Sequence, residues 1–271
     1  MIAARDRGEP PRDTGLYWSS ELEELHEESS RTSFIDVWTR AAMIEHLGGL
    51  EPGRLIVDLG CSSGYLLEDL AGREAGLYLV GLDYVLAGLA GAAGRLPGVA
   101  LVQADACHLP LADGSADAVV SANLLEHVPD DEGALGEIRR ALRPGGRAVI
   151  VVPSAPGTYD CFDRYLRHQR RYARGELRTK ARNAGLVVTE CFYLGSIVFP
   201  PFWLDKKKNR VMFGHLEGER LREKVSASNS RTGDSRLGRL SCRLERWLLA
   251  HSVALPFGVR ELAVLEKPGA P

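Results

Sequence analysis

The chain has 271 residues, 45% hydrophobic and 26% charged, with a formal net charge of -2. That length supports one sizeable core with a small appended subdomain, and the charge excludes a chain built as a whole to coat nucleic acid or an anionic membrane. Its five cysteines, Cys61, Cys107, Cys161, Cys191 and Cys242, are scattered without a C-x-x-C pair, which argues against a disulfide framework or zinc cage and for reduced thiols in the cytoplasm.

Residues 1–16 are charged and proline-rich. They read as disordered and lack the apolar core of a signal peptide. Residues 17–49 read as a helical cap. The cap is acidic at first ("ELEELHEESS"), then carries Phe34, Val37, Trp38, Ala41, Ile44 and Leu47 at helical spacing. Strands and helices then alternate. Strands are predicted at Arg54–Leu59, Leu77–Asp83, Ala100–Ala104, Ala116–Ala122 and Gly146–Pro153, and helices at Tyr65–Ala71, Val85–Ala93 and Asp131–Leu142. Turn signals ("GREAG", "LPG", "ADGSA", "RPGG") fall between them. The strands at Leu55–Leu59 and Ala148–Val152 are nearly continuous apolar runs, as strands covered on both faces are. Repeated β-α units predict an α/β fold, a doubly wound Rossmann-like sheet with helices on both faces. Ligands of such sheets bind beyond the carboxyl ends of the strands.

A helix at about Arg174–Ala184 and a strand at Leu186–Tyr193 close the core at residue 195. Residues 196–257 read as an insertion, and "VRELAVLEK" returns the chain to the core over 258–267 as a last strand. In the insertion "DKKKNR" is basic, "SASNSRTGDS" is predicted to be mobile, and Leu237, Leu240, Leu244, Trp247 and Leu248 make one apolar helical stripe. The stretch Tyr193–Leu204 ("YLGSIVFPPFWL") is too short for a membrane span, which needs ~20 residues. It reads as a core strand end, with an acceptor wall or membrane contact as alternatives.

The turn in "LIVDLGCSSGYL" decides the ligand. A dinucleotide fingerprint needs three glycines that admit a pyrophosphate. Here Ser62 occupies the second glycine position and Tyr65 the third, no P-loop lysine follows, and Asp58 would repel phosphate. "VDLGCSSG" instead resembles the first motif of the class I S-adenosylmethionine-dependent methyltransferases, whose usual form has glycine at the position of Ser62. That departure narrows the turn without excluding the cofactor. "VGLDYV" ends a strand in Asp83, where a carboxylate can accept from both ribose hydroxyls. "VQADACHLPLADGSADAVVSANLLEHV" and "ALRPGG" also resemble the family, so the likeness covers roughly residues 50–195 and the final strand.

The resemblance implies S-adenosylmethionine as cofactor. Asp58, Gly60, Cys61, Ser62 and Gly64 would form its turn, and Asp83 with Tyr84 would stand at the ribose. Asp105 would accept from the adenine amino group, the Ala106 N–H would meet the ring nitrogen, and Asn123 would lie beside the methionine part. Taken singly, each acidic residue could cap a helix or shape a turn, and each glycine could simply allow close packing. Together they recur at successive strand ends, where one extended ligand reaches them all.

Methyl transfer from a sulfonium is an in-line displacement with a neutral leaving group, so the protein mainly aligns the nucleophile and excludes water. A hydroxyl or ammonium acceptor must also lose a proton, a task that suits histidine. His168 in "HQRRY" and His127 in "LLEHVPD" are the catalytic candidates, with a structural hydrogen bond as the alternative for His127. An E-x-x-E-H motif holds a metal in some family members. Here Asn123 replaces the first glutamate and leaves Glu126 and His127, so no metal is predicted.

"HQRRYARGELRTKARNAGL" resembles the H-x-R-R-Y segment of bacterial members from glycan, lipid-linked and specialised-metabolite pathways. Arg170 and Arg171 could clamp a carboxylate or phosphate of the acceptor, or form a solvated basic face. Tyr172 reads equally as pocket lining or core. Tyr17 and Trp18 belong either to a lid over the cofactor or to packing of the N-terminal helix. The expectation is a cytoplasmic methyltransferase of a small-molecule acceptor, with oxygen favoured over nitrogen or carbon and a specialised metabolite as substrate. Rival readings are a methyltransferase of a lipid-linked sugar at a membrane surface, and an enzyme or module that binds the cofactor without methylating. Nucleic acid fits less well, because the positive charge is local and lacks interleaved aromatics. Oligomeric state is not legible.

Overall fold

The computed structural model describes residues 22–23, 27, 30–49, 51–73, 76–232 and 235–269. Tyr17 and Trp18 lie outside the described residues. Among those described, strands β1 (Leu55–Leu59), β2 (Tyr78–Asp83), β3 (Ala100–Gln103), β4 (Ala116–Ala122), β5 (Leu142–Pro153), β6 (Val187–Leu194) and β7 (Arg260–Glu266) form a sheet in the order β3-β2-β1-β4-β5-β7-β6. The first five pair in parallel, and β7 runs antiparallel between β5 and β6. The order reverses at β1, between β2 and β4, and that switch point is where an open α/β sheet leaves a crevice.

The apolar strand runs bury both faces. Val57, Leu59 and Ile150 point into one core layer with Leu135, Ile138 and Leu177. Their neighbours Ile56, Val149 and Val151 point into the other, with Trp38, Met43, Leu67 and Leu89. The covering helices are α1 (Phe34–His46), α2 (Tyr65–Ala71), α3 (Leu86–Ala93), α4 (Asp131–Ala141), the short α5 (Cys161–Tyr165) and α6 (Glu176–Asn183).

Three boundaries differ from the sequence reading by more than two residues. The cap pattern is interrupted at Ser33, and α1 starts after it. "RPGG" does not precede β5 but interrupts its pairing: Ala116 pairs with Leu142 and Ala118 with Arg147, and the extra residues are accommodated where Gly145 takes φ +74°. "SASNSRTGDS" is not wholly loop. Residues 226–232 continue a helix, because no proline or glycine interrupts the run before Gly233.

That helix is one of three in the insertion: α7 (Phe199–Phe213), α8 (Gly218–Thr232) and α9 (Arg236–Ala250). The insertion leaves at Leu194 and returns at Arg260, which pair with each other. Because β7 is antiparallel to β5, this pair lies at the carboxyl end of the parallel strands, and the three helices rise over the crevice. The apolar stripe of α9 does not face the core. Leu237, Leu240, Leu244 and Trp247 are exposed, and the helix packs through Gly238, Cys242 and Glu245 instead.

Tyr172 is core, not pocket. It is fully buried, and its hydroxyl donates to Asp131 Oδ2 at 2.6 Å. Asp131 also pairs with Lys180 at 2.7 Å and with Arg170 at 2.8 Å, so Arg170 is engaged here rather than free to clamp a ligand. Burial raises the Asp131 pKa, but Lys180, Tyr172 and Arg170 outweigh it and hold the carboxyl below its ordinary value. Tyr172→Phe is expected to lower unfolding free energy by about 1.5 kcal/mol in urea titration, the cost of a lost hydrogen bond to a buried charge.

Candidate active site

At the carboxyl ends of β1, β2 and β4 lies a cavity of about 960 Å3. Its floor is built by the strand-end turns. Gly60, at the end of β1, takes φ +79°, and a Cβ there would lie 3.1 Å from Leu124, so this position needs glycine. The Gly60 and Cys61 N–H groups donate to Leu82 O at 2.8 and 3.1 Å, locking the turn onto β2. Ser62 adopts φ +49°, a left-handed conformation that glycine enters more easily. Its N–H donates to Asp83 Oδ2 at 2.8 Å, and its hydroxyl donates to Glu23. The side chain that departs from the usual motif is thus tied off by an acidic partner.

Asp83 accepts from Ser62 N on one oxygen and from Val85 N on the other, both at 2.8 Å. Each oxygen keeps a lone pair for a ligand hydroxyl. Burial pushes the Asp83 carboxyl up to about 6, against the backbone N–H groups of Val85, Ser62 and Tyr84 that lower it. Tyr84, Asp105, Ala106 and Asn123 also line the cavity. Asp105 is half exposed and accepts from Cys107 N at 2.8 Å, which fixes its turn. Asn123 takes φ +52° at the end of β4, a strained position that asparagine tolerates and functional sites often hold.

Three predicted turn residues lie apart from this cavity. Asp58 is buried under the turn, where burial and Asp83 push its carboxyl up to about 8. Cys61 is buried with its sulfur against Gly81, and Gly64 packs on Leu96 and Ala92. They shape the turn from beneath.

The opposite wall holds a buried ionic cluster that sequence spacing only partly signalled. Asp160 and Asp163 form a capping box on α5. Asp163 Oδ1 accepts from His168 Nδ1 at 2.8 Å and from Arg171 Nε at 2.7 Å. Lys206, from the insertion, reaches Asp160 at 2.8 Å and Asp163 at 3.2 Å. Burial alone would raise the Asp163 pKa, but His168, Lys206 and Arg171 hold the carboxyl well below the usual range. Arg171 therefore lines the cavity as a paired residue, with its guanidinium 5.6 Å from the Phe202 ring centroid. Lys206 belongs to "DKKKNR", which stood out in the sequence only as basic. The D-x-x-D capping signal at Asp160 was the available hint to the cluster.

His168 is pulled to lower pKa by burial, more strongly than Asp163 raises it. With Asp163 ionised, Nδ1–H is the donor and Nε2 keeps its lone pair. The His127 ring stands edge-on to His168, with centroids 4.7 Å apart. Glu126 is fully buried beside them, and neither of its carboxyl oxygens has a hydrogen-bond partner. Donor atoms of Glu126, His127 and His168 all lie within 4.8 Å of one another. The fold thus brings His168 to the Glu126–His127 pair, close enough for the three to face one polar group or one cation. Burial pushes the Glu126 carboxyl up to about 8.

The remaining lining is mixed, with Asp36, Asp205, Asn209 and Arg260 among its polar members. Ile35, Ile197, Val198, Pro201 and Phe202 form an apolar stretch of the wall, so four residues of "IVFPPF" line the cavity. No described helix is long and apolar enough to cross a membrane.

Residues 57–150 match the methyltransferase-domain family. The demethylmenaquinone methyltransferase of Beutenbergia cavernae is 38% identical over 120 residues, covering 44% of this chain and 48% of that protein. The corresponding protein of Mycolicibacterium paratuberculosis is also 38% identical, over 119 residues, covering 44% and 47%. The chain spans about half the length of these curated relatives. The structure of geranyl diphosphate C-methyltransferase from Streptomyces coelicolor A3(2) superposes over 98% of this chain and 91% of its own, with a TM-score of 0.59 at 17% identity.

Two outcomes test the site. Asp83→Ala with Asp105→Ala is expected to weaken S-adenosylmethionine binding at least about tenfold by calorimetry, the scale of one lost hydrogen bond to a charged group. In the unaltered protein the affinity should fall as pH drops below about 6, where the Asp83 carboxylate gains its proton. Glu126 makes a separate signature. Its carboxyl ionises near 8 in the folded chain and near ~4.3 when unfolded, so the folded state holds the extra proton and stability declines between those values as pH rises. Glu126→Gln removes this decline. The stability gap in favour of the variant should widen by at most about 1.4 kcal/mol per pH unit over that window in urea titrations.

The sheet order, the strand-end turns and the match over residues 57–150 give the chain a methyltransferase domain of the class I fold, and S-adenosylmethionine is the cofactor that such a domain implies.

Proposed function

We propose that the protein methylates a hydroxyl of a small, largely apolar acceptor, a specialised metabolite, with His168 taking the proton. The observation that carries this reading is the Asp163–His168 pair on the cavity wall: an ionised carboxylate fixes the ring by Nδ1, and burial keeps the imidazole neutral. Bound S-adenosylmethionine supplies a methyl group activated on a sulfonium. The chain's own residues do the rest. Asp83 and Asp105 hold the nucleoside end from two strand ends. The wall of Ile197, Val198, Pro201 and Phe202 buries the acceptor's apolar body and excludes water. His168 Nε2 accepts the hydroxyl proton as the oxygen becomes a better nucleophile, and Asp163 stabilises the imidazolium that results.

The names of the relatives, which refer to demethylmenaquinone, and of the structural neighbour, which refers to geranyl diphosphate, support a small organic acceptor. The H-x-R-R-Y resemblance supports specialised metabolism.

The test supplies S-adenosylmethionine and a panel of hydroxylated aromatic and isoprenoid acceptors, then reads S-adenosylhomocysteine together with product mass. Equimolar S-adenosylhomocysteine and a product heavier by one methyl are expected. Turnover that yields an isomer without S-adenosylhomocysteine would show a non-methylating use of the cofactor. His168→Gln should cut kcat about 100-fold at unchanged cofactor affinity, the scale of general-base catalysis. The acid limb of the rate profile should fall below the ordinary histidine pKa of about 6.5, because burial lowers that of His168.

A further inference from the structure

Helix α9 is divided lengthwise into three sectors. The first faces the fold: Gly238 lies against the Phe34 ring, Cys242 is buried, and buried Glu245 accepts from Ser196 N at 3.1 Å. The second carries Arg236, Arg239, Arg243 and Arg246, all exposed. The third carries Leu237, Leu240, Leu244 and Trp247, exposed to 79%, 61%, 49% and 56%. At 3.6 residues per turn each set recurs every three or four positions, so the arginines and the apolar residues form two parallel flanks. Arg246 pairs with Glu45, and Glu245, the helix's acidic residue, is turned inward. The outward surface of α9 itself is therefore apolar on one side and cationic on the other, in a chain whose net charge is -2.

An ordinary amphipathic helix gives its leucines to the core. Here glycine, cysteine and a hydrogen-bonded glutamate take that place, and the large apolar side chains are left outside. A cationic flank beside an apolar flank that includes tryptophan is the composition of a helix lying in the plane of a bilayer interface, where the arginines meet anionic headgroups. The stripe is also continuous with the cavity, because Leu237, Gly238 and Ser241 contribute to the cavity lining.

We propose that α9 docks the protein on an anionic lipid bilayer, with Leu240, Leu244 and Trp247 in the acyl boundary and the cavity wall of α9 at the level of the headgroups. This goes beyond methyl transfer and does not rest on it. It also assigns the contact to a different segment from "IVFPPFW", whose Ile197, Val198, Pro201 and Phe202 face inward.

Flotation of the full chain with vesicles tests the proposal. Binding is expected to vesicles of equimolar phosphatidylcholine and phosphatidylglycerol, and to weaken with added salt and with phosphatidylcholine alone. Leu240→Ser with Leu244→Ser, and separately Arg236→Glu with Arg243→Glu, should each reduce the bound fraction about tenfold or more. Thermal unfolding and calorimetric cofactor affinity should stay unchanged, since none of these four side chains lines the cavity. Failure to float with anionic vesicles at low salt, or equal flotation of both variants, would overturn the proposal. So would a dimer, seen by light scattering, that the serine variant dissolves while no vesicle binding occurs, since the stripe would then be covered by a second copy of the chain.

Discussion

The cavity wall opposite the strand ends depends on one carboxylate. Asp163 is almost fully buried, and it stays ionised because three cationic or hydrogen-bonding partners converge on it: His168, Arg171 and Lys206. Removing a buried charge from such a cluster leaves the opposite charges unpaired, which costs more than the pair itself contributes. The cluster also joins three separate pieces of chain. Asp163 belongs to α5, His168 and Arg171 to the segment before α6, and Lys206 to the first helix of the insertion. A single acidic group therefore sets the histidine tautomer, anchors the insertion above the crevice and neutralises two cations that would otherwise repel one another in a dry wall.

The strand-end turns of the cavity were largely legible in the sequence, because backbone geometry dictates residue type there. A tight turn after β1 demands Gly60, and a carboxylate at the end of β2 that accepts two backbone N–H bonds demands Asp83. These requirements act over a few consecutive residues, so they leave motifs. Ser62 shows the limit of such reading. The resemblance suggested a narrowed turn, whereas the structure carries the left-handed conformation on a serine whose hydroxyl is held by Glu23, a residue far off in sequence.

The opposite wall was legible only in fragments. His168 and Arg171 stood out by their motif, but their common partner did not, since only folding brings "DCFD" beside them. Lys206 was hidden inside a run of three lysines, of which it alone is buried. Tyr172 and Arg170, equally prominent in the motif, serve Asp131 on the far side of the wall. Adjacent residues of an extended segment point to opposite faces, and a one-dimensional pattern does not reveal which face becomes cavity. The apolar stripe of α9 was visible too, but not its outward orientation, which follows from Gly238 and Cys242 fitting closely against α1.

The antiparallel placement of β7 has a consequence for how this architecture varies. Departure at Leu194 and return at Arg260 occupy facing positions of one hairpin ladder, so the excursion between them is, topologically, a single enlarged hairpin loop. Lengthening, shortening or exchanging that loop shifts neither strand register nor the turns at the ends of β1 and β2. The far wall of the cavity can thus diversify through one contiguous cassette while the strand-end turns stay fixed.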